Sequence, residues 1–140
     1  MPYRPLVQYS TPAEYREHFS RRYCNFRLQV LTSDLIAVTF WPTDFDHAFY
    51  KGPAKARFAI DRAVRIDWIG EALFDPQAEL YLGWDKYRRR YTPRRRVCLV
   101  DENYVVVIEL FGSMQGRFVT AFIADPWIVP RIRNSTPWPQ

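Results

Sequence analysis

Four β-type runs in the second half of the chain restrict its fold more than any other feature. AELYLGW (78–84), RRVCLV (95–100), YVVVIELF (104–111) and RFVTAFIA (117–124) are rich in β-branched and aromatic residues, which suit a pleated, half-buried surface. Asp101-Glu102-Asn103 separates the second run from the third, and Gly112-Ser113-Met114-Gln115-Gly116 separates the third from the fourth. A parallel crossover needs about a dozen residues or more, so these links impose antiparallel neighbours. The expectation is a four-stranded antiparallel meander. In its last strand, alternation sends Phe118, Thr120 and Phe122 to one face and Val119, Ala121 and Ile123 to the other.

The first half reads differently. Thr11-Pro12-Ala13-Glu14 combines an N-cap threonine, a proline at the first helical position and a glutamate closing a capping box. It predicts a helix over 12–23. FRLQVL (26–31) and LIAVTFW (35–41) flank Thr-Ser-Asp and could form a short hairpin, with a helical continuation of the second run as the alternative. Asp44 is a plausible N-cap, which puts His47 at the third helical position and Lys51 on the same face before Gly52-Pro53 ends the turn. Apolar residues then recur with helical period from Lys55 to Phe74, with Gly70 and the break toward Asp75-Pro76 suggesting two consecutive pieces. Helices first and strands afterwards give an α+β domain with N-terminal helices, near 12–23 and 56–74, packed on the sheet. One domain is expected over 1–140: an N-terminal extension and first helix (1–43), a core (44–124) and a Pro-rich C-terminal strap (125–140).

Several function classes drop out. A hydrophobic fraction of 48% is too high for a disordered chain. No apolar run approaches the roughly 20 residues of a membrane span, and the N-terminus has no apolar leader segment, so a cytoplasmic location and no membrane partner are expected. Cys24 and Cys98 lack metal-ligand spacing, and Asp44, Asp46 and His47 lack a second cluster to complete a shell, so no metal or other cofactor is expected. Phosphate-cradling glycine loops and the nucleophile-elbow motif are absent from the sequence.

Charge is concentrated. WDKYRRRYTPRRR (84–96) holds seven cations, Lys86, Arg88, Arg89, Arg90, Arg94, Arg95 and Arg96, against Asp85. That is +6 out of a total of +5, so the remaining residues sum to −1. Tyr87 and Tyr91 interleave the arginines with flat faces, a composition suited to nucleic acid. A solvated loop kept for solubility is the plain alternative, although dispersed charge would serve that end. Arg62 and Arg65 project together from the polar side of the 55–74 segment. Trp68, Trp84, Tyr81 and Tyr104 read as core or sheet residues.

The order of "DHAFYK", "RFAIDRAVRIDWI", "ELYLGW", a "NYVVVI" strand and a final "RFVTAF" strand resembles the phage-associated branch of the barnase–EndoU–colicin–RelE-like (BECR-fold) nucleases. These are small metal-independent ribonuclease domains of phage proteins and toxin systems. The likeness covers about residues 44–124, and that family's fold is two N-terminal helices on a four-stranded antiparallel sheet. It implies endonucleolytic cleavage of RNA in a groove over the sheet. By motif position His47 is the family's histidine, Lys51 its neighbouring cation, Thr120 the last-strand hydroxyl and Arg62 the second-helix cation. A second histidine near the motif is lacking, since His18 belongs to the first helix.

The chemistry is coherent without the resemblance. RNA carries its own nucleophile, the ribose 2′-hydroxyl. Neutral His47 could take its proton, Lys51, Arg62 or Arg65 could meet the charge developing on phosphorus, Thr120 could orient the phosphate, and the arginine run could supply sequence-independent affinity. RNA is the expected partner, with an acidic inhibitor or antitoxin protein as a candidate second one. A non-catalytic RNA- or protein-binding module on the same fold is the alternative, and it would tolerate loss of His47.

Overall fold

Thr11 caps the first helix as its spacing predicts. Its side chain accepts the Glu14 N–H, and the Glu14 carboxylate accepts the Thr11 N–H at 3.1 Å. The resulting α1 (Pro12–Tyr23) buries Tyr15, Phe19 and Tyr23. The computed structural model describes residues 3–25 and 27–139; Phe26, the first residue of the expected 26–31 strand, lies outside them. That run contributes only β1 (Val30–Leu31), which forms an antiparallel hairpin with β2 (Ala37–Thr39).

The 44–74 region departs from its helical reading. The segment α2 (Asp44–Phe49) starts one residue early, with Thr43 rather than Asp44 at the N-cap position. It is followed at once by β3 (Tyr50–Lys51), which pairs with β4 (Arg57–Phe58) in a small separate sheet. Lys51 therefore leaves the helix before it can share a face with His47. Next come α3 (Ile60–Ala63) and α4 (Trp68–Phe74). The two pieces part at Val64–Asp67 rather than at Gly70. Gly70 is instead a close approach: an added Cβ would lie 3.3 Å from the Tyr23 ring, and the Gly70 N–H donates to the Tyr23 hydroxyl.

The four β-runs become β5 (Glu79–Asp85), β6 (Arg90–Val100), β7 (Tyr104–Leu110) and β8 (Gln115–Ile123), each antiparallel to the next. The α+β class holds, but the sheet is not the expected four-stranded antiparallel one. It has six strands in the order β1-β2-β8-β7-β6-β5, and β2 runs parallel to β8, with Ala37 opposite Gln115. The start of β8 would otherwise be an edge with free N–H and C=O groups; β2 satisfies some of them, for example by Ala37 N–H to Met114 C=O at 2.9 Å. No local turn announces such a long-range pairing.

Both faces of the sheet are used. Helices α1, α2, α3 and α4 share one core with Val38, Cys98, Tyr104, Val106, Ile108, Phe118 and Ala121. On the far face Leu99, Val105 and Val107 pack with Ala124 and with Val129 of α5 (Val129–Arg133). The chain end then straps the β5 edge, through Leu82 N–H to Thr136 C=O and Trp138 N–H to Leu80 C=O.

The expected alternation in β8 fails at a bulge. Ile108 pairs with Phe118 but Val107 pairs with Thr120, so Val119 is an extra residue. Past that point the parity of the strand flips. Phe118 and Ala121 lie toward the helices, whereas Val119 and Phe122 join the far-face cluster. Thr120 stands opposite Val107 on that far face, and the two phenyl rings expected to flank it are on opposite sides.

Candidate nucleic-acid interface around His47

A single turn of α2 organises the surroundings of His47. Asp44 is buried; its carboxylate accepts the Trp41 N–H at 2.8 Å and lies 3.6 Å from the Arg117 guanidinium of β8. Burial raises its pKa above the ordinary carboxylate value, while the Trp41 N–H, Arg117 and His47 pull it back. One helical turn on, His47 is exposed. From the loop between β3 and β4, Lys55 donates its ammonium to the His47 carbonyl at 3.4 Å. Ala54 and Lys55 both adopt left-handed backbone conformations (φ 56° and 53°), each costing on the order of 1–2 kcal/mol for a residue with a Cβ. That strained turn folds Lys55 back over α2.

The imidazole consequently sits in a positive field. Partial burial and then Lys55 lower its pKa below the ordinary 6.5; Asp44 opposes them, and Lys86 and Arg117 add to the lowering. The cations come from three separate elements: the β3–β4 loop, the β5–β6 hairpin and β8. These charges favour the neutral imidazole, the form that can accept a proton.

The other residues singled out from sequence converge less tightly. Lys51 turns to Asp61 at 3.7 Å, with both side chains close to half exposed. Arg62 donates to the carbonyl of Ala48, next to His47, at 3.1 Å and lies 5.9 Å over the Phe122 ring. It thus bridges α2 and the end of β8. Thr120 is half-buried. Among the described residues no hydrogen bond or ion pair joins His47 to the side chain of Lys51, Arg62 or Thr120. Arg65 does not project with Arg62: it is largely buried, donates to the Asp61 carbonyl at 2.8 Å, packs over Trp68 and meets Glu102 at 3.5 Å.

The basic hairpin has a definite shape. Leu82 stands opposite Arg96 but Gly83 stands opposite Thr92, so Pro93, Arg94 and Arg95 are looped out of register. Proline donates no ladder hydrogen bond, and Gly83 leaves room for the Arg95 stem, which a Cβ would meet at 2.1 Å. The bent tip overhangs a groove of about 370 Å³ whose lining includes Lys86, Arg88, Thr92, Arg94 and Arg95, with Asp85 and Glu109 as its acids. Asp85 accepts the Tyr87 and Arg88 N–H groups at 3.0 and 3.1 Å, and Glu109 lies 3.7 Å from Arg95. Lys86, Arg88, Arg89, Arg90 and Arg94 form no ion pair among the described residues.

Among the hairpin residues one cation changes its assignment, Arg96, while Trp84 proves to be a sheet-face rather than a core residue. Trp84, read as a core or sheet residue, lies on the face of β5, 48% exposed, opposite Tyr91 in an edge-to-face pair with ring centroids 5.1 Å apart. Tyr87 is 87% exposed, with Lys86 over its ring at 5.4 Å. Arg96 does not belong to the interface: it is buried, bound in bidentate fashion to Asp34 at 3.0 and 2.7 Å, and lies 4.4 Å under Trp138. The alternation of β6, continued through a bulge, turns it inward.

His18, the second histidine, is a structural link. Its ring nitrogens meet the Tyr9 hydroxyl at 2.9 Å and the Asp67 carboxylate at 2.8 Å, and Arg22 also binds Asp67. Lys55 and Arg117 were not picked out by sequence, because neither stands at a motif spacing from His47. Among the described residues no cluster of three His, Cys, Asp or Glu could hold a metal ion, and no helix is long and apolar enough to cross a membrane. Comparison with protein-family models, curated proteins and solved structures returns no match to this chain.

Proposed function

We propose that this protein is a metal-independent endoribonuclease of the phage- or toxin-associated type, cleaving RNA through the substrate's own 2′-hydroxyl. The observation that carries the reading is His47: an exposed imidazole on α2, bordered by Lys55 on its own carbonyl and by Arg117 on Asp44, one turn away. Neutral His47 takes the 2′-hydroxyl proton, the 2′-oxygen bonds to phosphorus, and the bond to the 5′-oxygen breaks, leaving a 2′,3′-cyclic phosphate. The departing 5′-oxygen collects a proton from the imidazolium or from water. Lys55, Arg117 and Lys86 meet the negative charge that develops on phosphorus, a term usually larger than the proton transfer. Arg62 borders the junction of α2 with β8, whereas Thr120 lies on the far face of the sheet and Lys51 is paired with Asp61.

Folded protein should cut RNA in EDTA and leave 2′,3′-cyclic ends, whereas RNA with a 2′-O-methyl group at the cleavage site should resist. His47→Ala should slow cleavage roughly 10²- to 10⁴-fold while leaving RNA affinity nearly intact. Full-rate cleavage by His47→Ala would remove His47 from the mechanism. If the intact protein binds RNA but cuts none, the chain is a non-catalytic RNA-binding module built on the same surface.

A further inference from the structure

The aromatic side of the β5–β6 hairpin has no role in cleavage, yet it is built unlike a solubility loop. Trp84 and Tyr91 face each other across the strands, edge to face, and remain 48% and 41% exposed. Two large rings left in water at a hairpin tip are costly unless something covers them. Thr92 and Arg95 line the groove on one side of the hairpin; Trp84 and Tyr91, one residue out of phase with Gly83 and Thr92, point to the other. Between the two sides runs the edge that carries Lys86, Arg88, Arg89 and Arg90, with no acidic partner among the described residues beyond Asp85, whose carboxylate is engaged by backbone.

We infer that the Trp84–Tyr91 pair is a base-stacking platform and that the ligand of this hairpin is a single-stranded, not duplex, nucleic acid. This rests on the RNA reading above and adds the form of the substrate. Charge selects a polyanion, and the flanking guanidinium groups match a phosphate chain. The exposed rings then select among polyanions: a duplex keeps its base faces stacked on one another, whereas a single strand can lay a base on an indole. An acidic protein can present single aromatic rings but not the regular alternation of flat faces and phosphates that a single strand carries. The edge-to-face contact holds the rings in place before binding, so little side-chain freedom is lost when a base arrives. Lys86 lies at the tip with its ammonium over the Tyr87 ring at 5.4 Å, so cation and exposed ring are presented together.

The test uses the full chain and fluorescence anisotropy with a 2′-O-methyl RNA 12-mer, which stays uncut, offered single-stranded, hybridised to its complement, and as an abasic strand of equal length. The wild type should prefer the single strand over both other probes by at least about tenfold. Trp84→Ala should weaken single-strand binding roughly 5- to 150-fold while leaving abasic and duplex binding, and the salt slope, unchanged. Trp84→Phe should recover most of the loss, and matched circular-dichroism melts would show that the variants are folded. Equal affinity for single strand and duplex, or an unaltered single-strand affinity in Trp84→Ala, overturns the platform and leaves the ribonuclease reading standing. Absence of binding to every probe overturns both, whereas cleavage can fail with the platform intact.

Discussion

The buried pair of Arg96 with Asp34 predicts an asymmetry that a surface loop would not have. The Arg96 side chain is 3% exposed and that of Asp34 is 50% exposed. The neighbouring guanidinium, helped by the Thr32 hydroxyl, holds the Asp34 carboxyl at about 2, below the ordinary 3.8. Fully shielded, that difference would correspond to about 2.4 kcal/mol; with half of the carboxylate in water, screening leaves about 1 kcal/mol. Removing Arg96 by Arg96→Met keeps an apolar stem under Trp138 and frees a carboxylate that water already reaches, so it should cost about 1–2 kcal/mol. Removing the acid by Asp34→Ala strands a buried guanidinium, whose Nε already lacks a partner; that should cost about 3 kcal/mol or more. Urea unfolding at pH 7 reads both values. Because the folded pKa is depressed, the Asp34 contribution is complete above about pH 4 and is lost as the pH falls toward 2. The gap between wild type and Arg96→Met should therefore narrow over that window. An Asp34→Ala variant no less stable than Arg96→Met would refute the claim that Arg96 is buried and held by this acid.

Two further outcomes follow from charge. RNA affinity plotted against salt should lose about 0.7 in log–log slope on Arg94→Gln, nothing on Arg96→Met, and no more than about 1.4 when residues 94 to 96 are all neutralised; a full three-residue effect, near 2, would mean Arg96 meets phosphate after all. With neutral His47 as base, cleavage should rise with pH through a midpoint below 6.5, and Lys55→Gln should move that midpoint upward by removing the largest opposing charge. A midpoint that stays put or falls in Lys55→Gln would separate Lys55 from His47.

The parts of this protein legible from sequence are those that local chemistry decides. The capping box at Thr11 satisfies orphan N–H groups within four residues of chain, so α1 is readable from Pro12 to Tyr23. The links of residues 101–103 and 111–114 are too short for any connection but an antiparallel one, so β6, β7 and β8 are readable with their order. Tertiary structure alone decided the rest. The parallel docking of β2 on β8 joins residues some 78 apart, such as Ala37 and Gln115, and leaves no periodic trace. One extra residue at Val119 reverses the parity of the strand and takes Thr120 away from Phe118, because side-chain direction depends on every residue counted before it. Arg94 and Arg96 are chemically identical in the sequence, yet Arg94 lines an open groove and Arg96 lies buried on Asp34. A side chain's charge is a property of its residue type, but its partner, its burial and hence its effect on His47 are properties of what the fold sets within a few ångströms of it.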